Sequence, residues 1–442
     1  MPYAIISLTP IYFFGIGLFF YRPKYINYLT LYINIGIGII LLYSLSLLLP
    51  LSFALMVGLI FMIIGFIKII KKQFVIKFKY KNNIIILILF IVYAHFIISV
   101  PVNEWDASFI WYFASKIIFY EEIVLNWDKV IYLIAPGYPK LIPTFAAHYG
   151  SLIGVWNELF PGSILIIFCL HTLIGFIAFT NDEKVSNIYV LLIFLTLGRY
   201  IWNFYMDAYL ALYVGIATVF MSKYAAQKKN EYYFAFIVSI GIFINIKNEG
   251  ILAMLSILLV YIFISYKTVN KINIFKIIVN KNNIYILCIF VPFIIWSIYK
   301  YYMGVSSGST FSQDSYYYIW ERLTNHLYYI ITEMLFVNFK YNYVFMLIIM
   351  HFVLIAISLY LKLKIDLNYK LIIVVSIIYV LGLLFVYLGT TYAGGGLFGL
   401  KLHLFQSIER TMFPFMVMNY CSLALLLKNI IRENTLMKIY VK

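Results

Sequence analysis

The chain has 442 residues, of which 64% are hydrophobic and only 11% are Asp, Glu, Lys or Arg. A water-soluble domain has on average about half apolar and about a quarter charged residues, so this composition excludes an ordinary soluble protein and predicts one that lies in the lipid bilayer. The formal net charge of +16 does not indicate nucleic acid as a partner, because basic residues of a membrane protein mostly mark its cytoplasmic side.

Long apolar runs predict thirteen transmembrane helices. The runs are continuous rather than alternating, which favours helices over the strands of a β-barrel. In chain order they cover residues 3–20, 30–49, 52–67, 84–101, 163–180, 187–203, 206–222, 233–247, 250–266, 284–303, 343–361, 371–389 and 410–427. A further apolar stretch, 141–160, contains Pro143, His148 and Glu158, and we expect it to form a helix that lies at the membrane surface or dips partway into the bilayer. The predicted fold is therefore an all-α polytopic transmembrane helical bundle.

The basic residues predict the orientation of this bundle. Under this layout most of the 33 Lys and Arg residues lie in loops on one side, and the positive-inside rule makes that side cytoplasmic. The N-terminus is then outside and the C-terminus is cytoplasmic, in a multi-pass protein of the cell (inner) membrane. Most of the 17 acidic residues fall on the outer side, as do the long loops 102–162, 304–342 and 390–409. We therefore expect the chemistry to lie on the extracytoplasmic side.

The apolar runs divide the chain into three parts. Residues 1–83 hold N-terminal transmembrane helices, residues 84–303 form a transmembrane core that includes the outer loop 102–162, and residues 304–442 hold an outer loop and the C-terminal transmembrane helices. The three cysteines all lie inside apolar runs, so the sequence predicts neither a disulfide framework nor a metal site from them.

The first long outer loop contains the candidate catalytic acids. Asp106 follows the fourth predicted span by a few residues, and Glu104 lies two residues before it. A carboxylate at this boundary has a low local dielectric but stays open to water and substrate, so Asp106 can serve as a general base for a hydroxyl or an amine. The alternative is an interfacial helix that Asp106 caps and that Trp105 and Trp111 anchor. Lys116 follows later in the same loop.

Two further outer segments carry polar residues close to the ends of predicted helices. Tyr138 and Lys140 lie in the proline-rich segment 136–143. Lys140 would stand near the outer phosphate plane, although a turn with a snorkelling lysine is the simpler interpretation. Asp207 opens a predicted span, where the helix dipole favours a carboxylate. The functional alternative for Asp207 is a contact with a sugar hydroxyl or a cation at the mouth of a cavity.

A charged segment between two apolar runs is the strongest local anomaly in the sequence, namely Lys247-Asn248-Glu249-Gly250. Ionisable groups at membrane depth usually face the protein interior or a watery cavity, which favours a functional role. The alternative is a tight charged hairpin in which Lys247 pairs with Glu249.

The last candidate segment opens the final predicted span. Glu409 and Arg410 follow an outer loop that contains His403. Arg410 offers a bidentate fork for a phosphate or a carboxylate, but Glu409 could equally pair with it or cap the helix. All of these segments fall on one side under a topology that was derived from Lys and Arg alone, and this shared location predicts a site.

These segments resemble the motifs of the lipid-carrier-dependent glycosyltransferases of the GT-C superfamily, in particular bacterial members related to protein O-mannosyltransferases and lipid A aminoarabinose transferases. The resemblance rests on Trp105-Asp106-Ala107, Trp111, Lys116, Tyr138-Pro139, Leu141, Pro143, Asp207-Ala208, Lys247-Asn248-Glu249-Gly250 and Glu409-Arg410. The chain departs from the family in that Trp105 separates two acids that the family often has side by side. The acidic loop also follows the fourth predicted span instead of the first, and we expect no soluble C-terminal domain.

The resemblance implies an enzyme that transfers a sugar, with inversion, from a polyprenyl-phosphate carrier to an extracytoplasmic acceptor. Asp106, or else Glu104, would deprotonate the acceptor, and Lys and Arg side chains would stabilise the phosphate that leaves. No cofactor is evident, although two outer carboxylates could hold Mg²⁺. The residues expected to bind the sugar or the carrier phosphate are Lys116, Tyr138, Lys140, Asp207, Lys247, Asn248, Glu249, His403 and Arg410.

Two other classes of membrane protein compete with a glycosyltransferase. A transporter or flippase for lipid-linked saccharides would have charged residues along a path through the bilayer, whereas the polar segments here gather on the outer side. An O-antigen-type polymerase or ligase usually has arginine-rich outer loops, and the outer loops here hold few arginines.

Overall fold

The computed structural model describes residues 2–71, 75–77, 84–125, 135–180, 184–268, 284–305, 314–336, 343–392 and 396–440. Within these ranges the chain is almost entirely helical, which confirms the prediction of an all-α helical bundle. The serine-rich segment 306–309 and the glycines 394 and 395 lie outside the described residues.

The helices follow one another through mostly short connections. The first part of the chain forms α1 (Pro2–Phe20), α2 (Tyr28–Leu48), α3 (Leu51–Ile70), α4 (Ile84–Ser99), a π-helical segment (Ala107–Tyr112), α5 (Phe113–Glu121), α6 (Leu141–Ile153), a 3₁₀ turn (Pro161–Ile164), α7 (Leu165–Thr180), α8 (Lys184–Leu197) and α9 (Arg199–Trp202). The second part forms α10 (Met206–Gln227), α11 (Asn230–Phe243), α12 (Gly250–Thr268), α13 (Ile284–Tyr302), α14 (Ser315–Asn325), α15 (Leu327–Phe336), α16 (Tyr343–Tyr360), α17 (Leu367–Gly389), α18 (Gly396–Thr411) and α19 (Phe413–Tyr440).

Seven helical stretches in the described part of the chain are long and apolar enough to cross a membrane: Tyr3–Phe20, Tyr28–Leu48, Leu51–Ile70, Pro161–Phe179, Met206–Gln227, Leu367–Gly389 and Gly396–Ile431. The other predicted spans fall on shorter apolar helices, namely Ile85–Ser99, Asn187–Leu197, Asn230–Phe243, Gly250–Ser265, Cys288–Tyr302 and Val344–Tyr360. The chain is therefore a helical membrane protein, while the total of thirteen spans and their orientation stay predictions.

The helix boundaries correct the sequence-based layout in two places. The predicted span 187–203 is interrupted at Gly198, whose φ of 45° lies in the left-handed region that favours glycine. The predicted outer loop 390–409 is mostly the helix α18, so Arg410 lies in the last turn of that helix and does not open the last span. An apolar-run criterion misses α18, because its polar and apolar residues alternate around the helix instead of forming a continuous run.

The stretch 141–160 is a short helix that is buried within the protein. Helix α6 has 13 residues, and all residues from Leu141 to Gly150 are buried. A helix of this length rises about 20 Å, which is too short to cross the hydrocarbon core of a bilayer. The length agrees with the prediction of a helix that does not span, and its position at the membrane surface or partway into the bilayer stays a prediction.

The N-terminal helices pack closely through glycines. A Cβ atom at Gly38 would overlap the carbonyl of Phe13, and one at Gly65 would overlap the carbonyl of Gly15. Helices α1, α2 and α3 therefore approach one another backbone to backbone, as small residues permit in membrane proteins. Two short parallel strands, β1 (Tyr25–Ile26) and β2 (Val75–Ile76), join the segments that follow α1 and α3, and the sequence did not predict them.

Helix α10 is the centre of the bundle and positions the candidate site. It is buried along most of its length and packs against α7, α11, α12, α17 and α19. Its first turn lies at the end of the bundle where α11 turns into α12, because the side chains of Asp207 and Lys247 meet there. The last turn of α18 and the start of the π-helical segment reach the same end through Arg410 and Asp106.

Candidate functional site

Five ionisable side chains from separate parts of the chain meet at this end of the bundle. They alternate in charge, so that each acid contacts a cation: Asp106, Arg410, Asp207, Lys247 and Glu249. We call these five residues the charged cluster. A buried charge is costly unless it is paired and hydrogen-bonded, and the alternation of charge provides such a pairing for every member.

Asp207 is the most buried member of the charged cluster. It lies in the first turn of α10, where the helix dipole favours a negative charge, and only 3% of its side chain is exposed. Its Oδ1 accepts a hydrogen bond of 2.7 Å from Lys247, and its Oδ2 lies 3.8 Å from Arg410 Nη1. Asp207 therefore joins the two cations of the cluster.

Lys247 lies in the turn between α11 and α12. Its Nζ is 2.7 Å from Asp207 Oδ1 and 3.2 Å from Glu249 Oε1. Burial acts to lower the pKa of Lys247, but the two carboxylates outweigh it, and the pKa lies above its usual range. Lys247 pairs with Glu249 within the turn and also faces the protein interior, while a functional role for this segment stays a prediction.

Arg410 connects α18 to the acidic loop. Its Nη1 donates to Asp106 Oδ2, its Nη2 donates to the carbonyl of Gln406 at 3.0 Å, and its guanidinium carbon lies 5.5 Å from the ring centre of Tyr205. Asp106 precedes the π-helical segment but makes no capping hydrogen bond with its side chain. The alternative in which Asp106 serves as a helix cap is therefore wrong.

Two buried carboxylate oxygens in the charged cluster have no hydrogen-bond partner among the described residues. They are Asp207 Oδ2 and Glu249 Oε2. Buried oxygens without a hydrogen-bond partner are rare because their desolvation is not compensated, which singles out these two atoms as candidate acceptors. With three acids and two cations the cluster has a formal charge of −1, which also favours hydroxyl donors.

The cluster offers a poor fit for a divalent metal ion. The Nζ of Lys247 lies between the carboxylates of Asp207 and Glu249, and a Mg²⁺ shared by these two acids would need the same position. Arg410 lies between Asp106 and Asp207 in the same way. Within the described ranges no group of three or more His, Cys, Asp and Glu side chains is arranged to hold a metal.

Glu104, the second candidate acid, lies beside the cluster and has its own partners. Its Oε1 is 3.1 Å from Nη1 of Arg199, and Tyr205 donates to its Oε2 at 3.5 Å. Burial and the nearby Glu104 raise the pKa of Tyr205 to about 12. Tyr205 thus lies close to both arginine-bound acids, Glu104 and Asp106. The sequence analysis did not identify Tyr205 or Arg199 as site residues, because no local pattern joins them to Glu104.

An aromatic wall separates the cluster from a second buried lysine. Lys247 Nζ lies 5.6 Å from the ring centre of Tyr138, and Tyr138 contacts Trp111 at 5.1 Å between ring centres. Lys140 Nζ lies 5.9 Å from the ring of Trp111 and 6.0 Å from that of Trp296. Burial lowers the pKa of Lys140 to about 7.

Lys140 differs from Lys247 in its partners. Its Nζ donates to the carbonyl of Ala135 at 3.1 Å, and no carboxylate of the described residues lies within 4.0 Å of it. The neighbouring Asn248 donates to the carbonyl of Gly137 at 3.2 Å, which holds the segment around Lys140 against the cluster. Lys140 is therefore a cation next to the cluster whose charge the described acids leave uncompensated.

Two residues proposed from the sequence lie outside the cluster. Lys116 pairs at 3.0 Å with Glu158, and both side chains are exposed, so Lys116 belongs to a surface ion pair. His403 lies between the rings of Tyr387 and Tyr392, with 5.1 Å between ring centres in each case. Within the described part of the chain, neither residue forms a hydrogen bond or an ion pair with a member of the charged cluster.

The sequence also missed Arg322, which holds the elements behind the site. This fully buried side chain donates through Nη1 to the carbonyls of Tyr387, Leu388 and Thr390 at 2.8–3.0 Å, and through Nη2 to Gly396 at 3.3 Å. A guanidinium at a helix C-terminus satisfies carbonyls that the helix leaves free. Arg322 therefore ties α14 to the end of α17 and the start of α18.

Comparison of the chain with protein-family models, with curated proteins and with solved structures gave no match. The protein is thus defined by its class, a membrane-spanning helical bundle with a buried charged cluster at one end, and its activity has to be inferred from the chemistry of that cluster.

Proposed function

We propose that the charged cluster is the active site of a membrane glycosyltransferase that uses a polyprenyl-phosphate sugar as donor and an extracytoplasmic glycan, lipid or protein as acceptor. One observation carries this proposal: Asp106, Asp207, Lys247 and Arg410, separated by up to about three hundred residues, lie together with two buried carboxylate oxygens that lack a hydrogen-bond partner among the described residues. The order of the motifs that resembles the GT-C superfamily supports it. A structural membrane protein has no need of such a costly buried cluster.

In the proposed reaction Asp106 is the general base. The acceptor O–H bond breaks and its proton moves to the Asp106 carboxylate, while the acceptor oxygen bonds to the anomeric carbon. The bond between that carbon and the phosphate oxygen breaks, and the carrier leaves as a phosphate anion. Cations at the leaving oxygen stabilise the transition state, and Arg410, Lys247 and Lys140 are the candidates.

The pairing of Arg410 with Asp106 suggests how donor binding prepares the base. Arg410 contacts Asp106 Oδ2, so this oxygen is not free to contact an acceptor hydroxyl while the pair is intact. A carrier phosphate that binds Arg410 would compete with Asp106 for the same donors. Release from Arg410 would then free Asp106 to contact the acceptor hydroxyl when the donor is bound.

Asp207 Oδ2 and Glu249 Oε2, which lack hydrogen-bond partners among the described residues, are proposed to orient the sugar by accepting hydrogen bonds from its hydroxyls. Both acids also hold Lys247, so a sugar bound to them would lie next to a phosphate-binding cation. In this arrangement one cluster would position both the sugar and the phosphate of the donor, and such positioning lowers the entropic cost of the reaction.

The proposal is tested with the full-length protein in liposomes that contain polyprenyl-phosphate sugars. Asp106→Asn keeps an oxygen for Arg410 but removes the base, and kcat is expected to fall by about 10²–10⁴-fold with little change in KM. Glu104→Gln is the matched acid-to-amide control, since Glu104 also binds an arginine. Loss of activity only in Glu104→Gln would move the base to that residue, and absence of carrier-dependent transfer in the wild type would refute the proposed function.

The proposed orientation has its own test. In a variant without native cysteines, Asn248→Cys is expected to react with a membrane-impermeant thiol reagent from the outside, because the cluster is proposed to lie at the outer leaflet. Lys228→Cys, which follows α10 at the other end of the bundle, is the control and should react only from the cytoplasm. The reverse pattern would overturn the topology.

A further inference from the structure

A polar cavity lies at the opposite end of the bundle from the charged cluster. Helix α10 begins at the cluster and ends at Gln227, and α11 begins at Asn230 and returns to the cluster. The cavity has a volume of about 580 Å³. Its lining includes Lys24, Tyr25, Lys77, Lys229, Glu231 and Tyr232, and we call it the lysine cavity.

Two lysines of this cavity lie close to a single aromatic ring. Lys77 Nζ lies 4.0 Å and Lys24 Nζ lies 5.4 Å from the ring centre of Tyr25. Both lysines are exposed, and no ion pair within the described ranges compensates either of them. Glu231 is the one acid in the described lining, against three lysines.

Backbone pairing brings together the two segments that carry Lys24 and Lys77. The strands β1 and β2 pair Tyr25 with Val75, and the amide of Lys77 donates to the carbonyl of Ile26 at 2.9 Å. Asn27 caps α2, whose first turn also lines the cavity. The positive end of this helix adds to the charge of the lysines. The fold therefore maintains a positive potential that an anion from outside the chain would relieve.

We infer that the lysine cavity binds the phosphate group of an anionic phospholipid headgroup. The cavity is lined by the ends of α1 and α7 and the starts of α2 and α11, so it lies where apolar helices give way to polar connections, which is the level of lipid headgroups. Lysines and tyrosine hydroxyls donate to phosphate oxygens, and a volume of about 580 Å³ exceeds what a bare phosphate needs. Free phosphate shares this chemistry and is the second source to be tested.

The test uses the full-length protein incorporated into bilayers of equal phosphatidylglycerol and phosphatidylcholine, with lipids retained on the protein counted by native mass spectrometry. The wild type is expected to retain phosphatidylglycerol in preference. Each lysine near a membrane surface changes affinity for an anionic lipid about fivefold, so Lys24→Gln combined with Lys77→Gln should lower retention on the order of thirtyfold. The matched control removes two exposed lysines outside the cavity, Lys228→Gln with Lys364→Gln, and should retain the lipid.

A further variant, Lys229→Gln, and a further ligand, inorganic phosphate, test the site independently of the double variant. Lys229→Gln changes the cavity away from the paired strands and is expected to lower retention about fivefold, which tests the site even if the double variant fails to fold. Inorganic phosphate that competes with the lipid, or binds when the lipid does not, would assign the same site to free phosphate. Equal retention in wild type, cavity variants and control, without phosphate binding, would overturn the inference.

Discussion

The two ends of this bundle differ in whether their cations have acidic partners. In the charged cluster, Lys247 lies between two carboxylates at 2.7 and 3.2 Å, whereas in the lysine cavity Lys24 and Lys77 share the ring of Tyr25 without a described acidic partner. The first end is internally compensated and preorganised, as a site that handles a neutral hydroxyl and a transient charge should be. The second end has an excess of positive charge, with three lysines and one acid in its described lining, which suits a permanent anionic ligand.

The largest expected effect is on the internally compensated end. Asp207→Ala removes the acid that joins both cations, and breaking a buried ion pair by removing one partner typically costs about 3–5 kcal/mol. The free energy of unfolding in detergent micelles is the measurement. Combining Asp207→Ala with Lys247→Met should cost less than the sum of the two single changes, because the second change removes the stranded charge.

An exposed ion pair provides the control for this first prediction. Lys116→Gln breaks the pair with Glu158, whose members are 41% and 62% exposed, and such pairs contribute at most about 1 kcal/mol. Additive effects of Asp207→Ala and Lys247→Met would contradict the view that the cluster is one coupled unit.

Arg322→Met is expected to give the next largest effect at the same end. The change removes four charge-assisted hydrogen bonds to carbonyls around the end of α17, and leaving such buried groups unpaired costs about 1.5–3 kcal/mol. Lys401→Gln on the neighbouring α18, an exposed side chain, should leave unfolding unchanged. If Arg322→Met unfolds like the wild type, the free carbonyls have other partners and the end is less rigid than proposed.

Lys140 sharpens the comparison because it is a buried lysine beside the cluster but without a described acidic partner. Its pKa of about 7, against 10.5 for a free lysine, means that it loses its proton as the pH rises from about 6 to about 8. Affinity for the phosphate-bearing donor should therefore fall over this range, and Lys140→Met should remove the dependence. Binding of a fluorescent polyprenyl-phosphate analogue at fixed ionic strength measures this.

The stability of the donor-free protein should change with the opposite sign. Between pH 7 and 10.5 the unfolded chain holds the proton of Lys140 and the folded chain does not. Lys140 therefore makes the free energy of unfolding larger as the pH rises through this range. Donor affinity that rises with pH, or a dependence that survives in Lys140→Met, would show that another group controls binding.

The smallest effect is expected in the lysine cavity. Lys77→Gln removes one of two like charges and should change the free energy of unfolding by no more than about 0.5 kcal/mol, in the stabilising direction if repulsion dominates. The measurement is made in detergent free of anionic lipid, with Lys228→Gln as control. A decrease in the free energy of unfolding comparable to that of Asp207→Ala would reveal an internal partner for Lys77. The two ends would then not differ in how their lysines are paired.

Much of the fold follows from the sequence, because a bilayer admits few solutions for a continuous apolar run. Every predicted span falls on a helix, whereas α14, α15 and α18 were missed since amphipathic helices mix polar and apolar residues. The broken span at Gly198 was missed as well, because its hydrophobicity continues on both sides of the glycine.

The candidate site was predictable as a set of residues but not as a set of contacts. The cost of an ionisable group at membrane depth singles out Asp207, Lys247 and Glu249 from the sequence. No local pattern tells that Arg410 binds Asp106 or that Arg199 binds Glu104, since these partners are distant in the chain. Conversely, no local pattern tells that Lys116, which the sequence placed in the site, pairs with Glu158 on the surface.

The glycine contacts among the first helices bear on how the protein is made. The close approaches of α1 with α2 and with α3 include Gly38 and Gly65 and involve residues that are synthesised before those of the charged cluster. This part of the chain can assemble in the translocon before the acids and cations of the later helices are synthesised. A folded hairpin of apolar helices would then serve as the surface on which α7 and α11 dock during biogenesis.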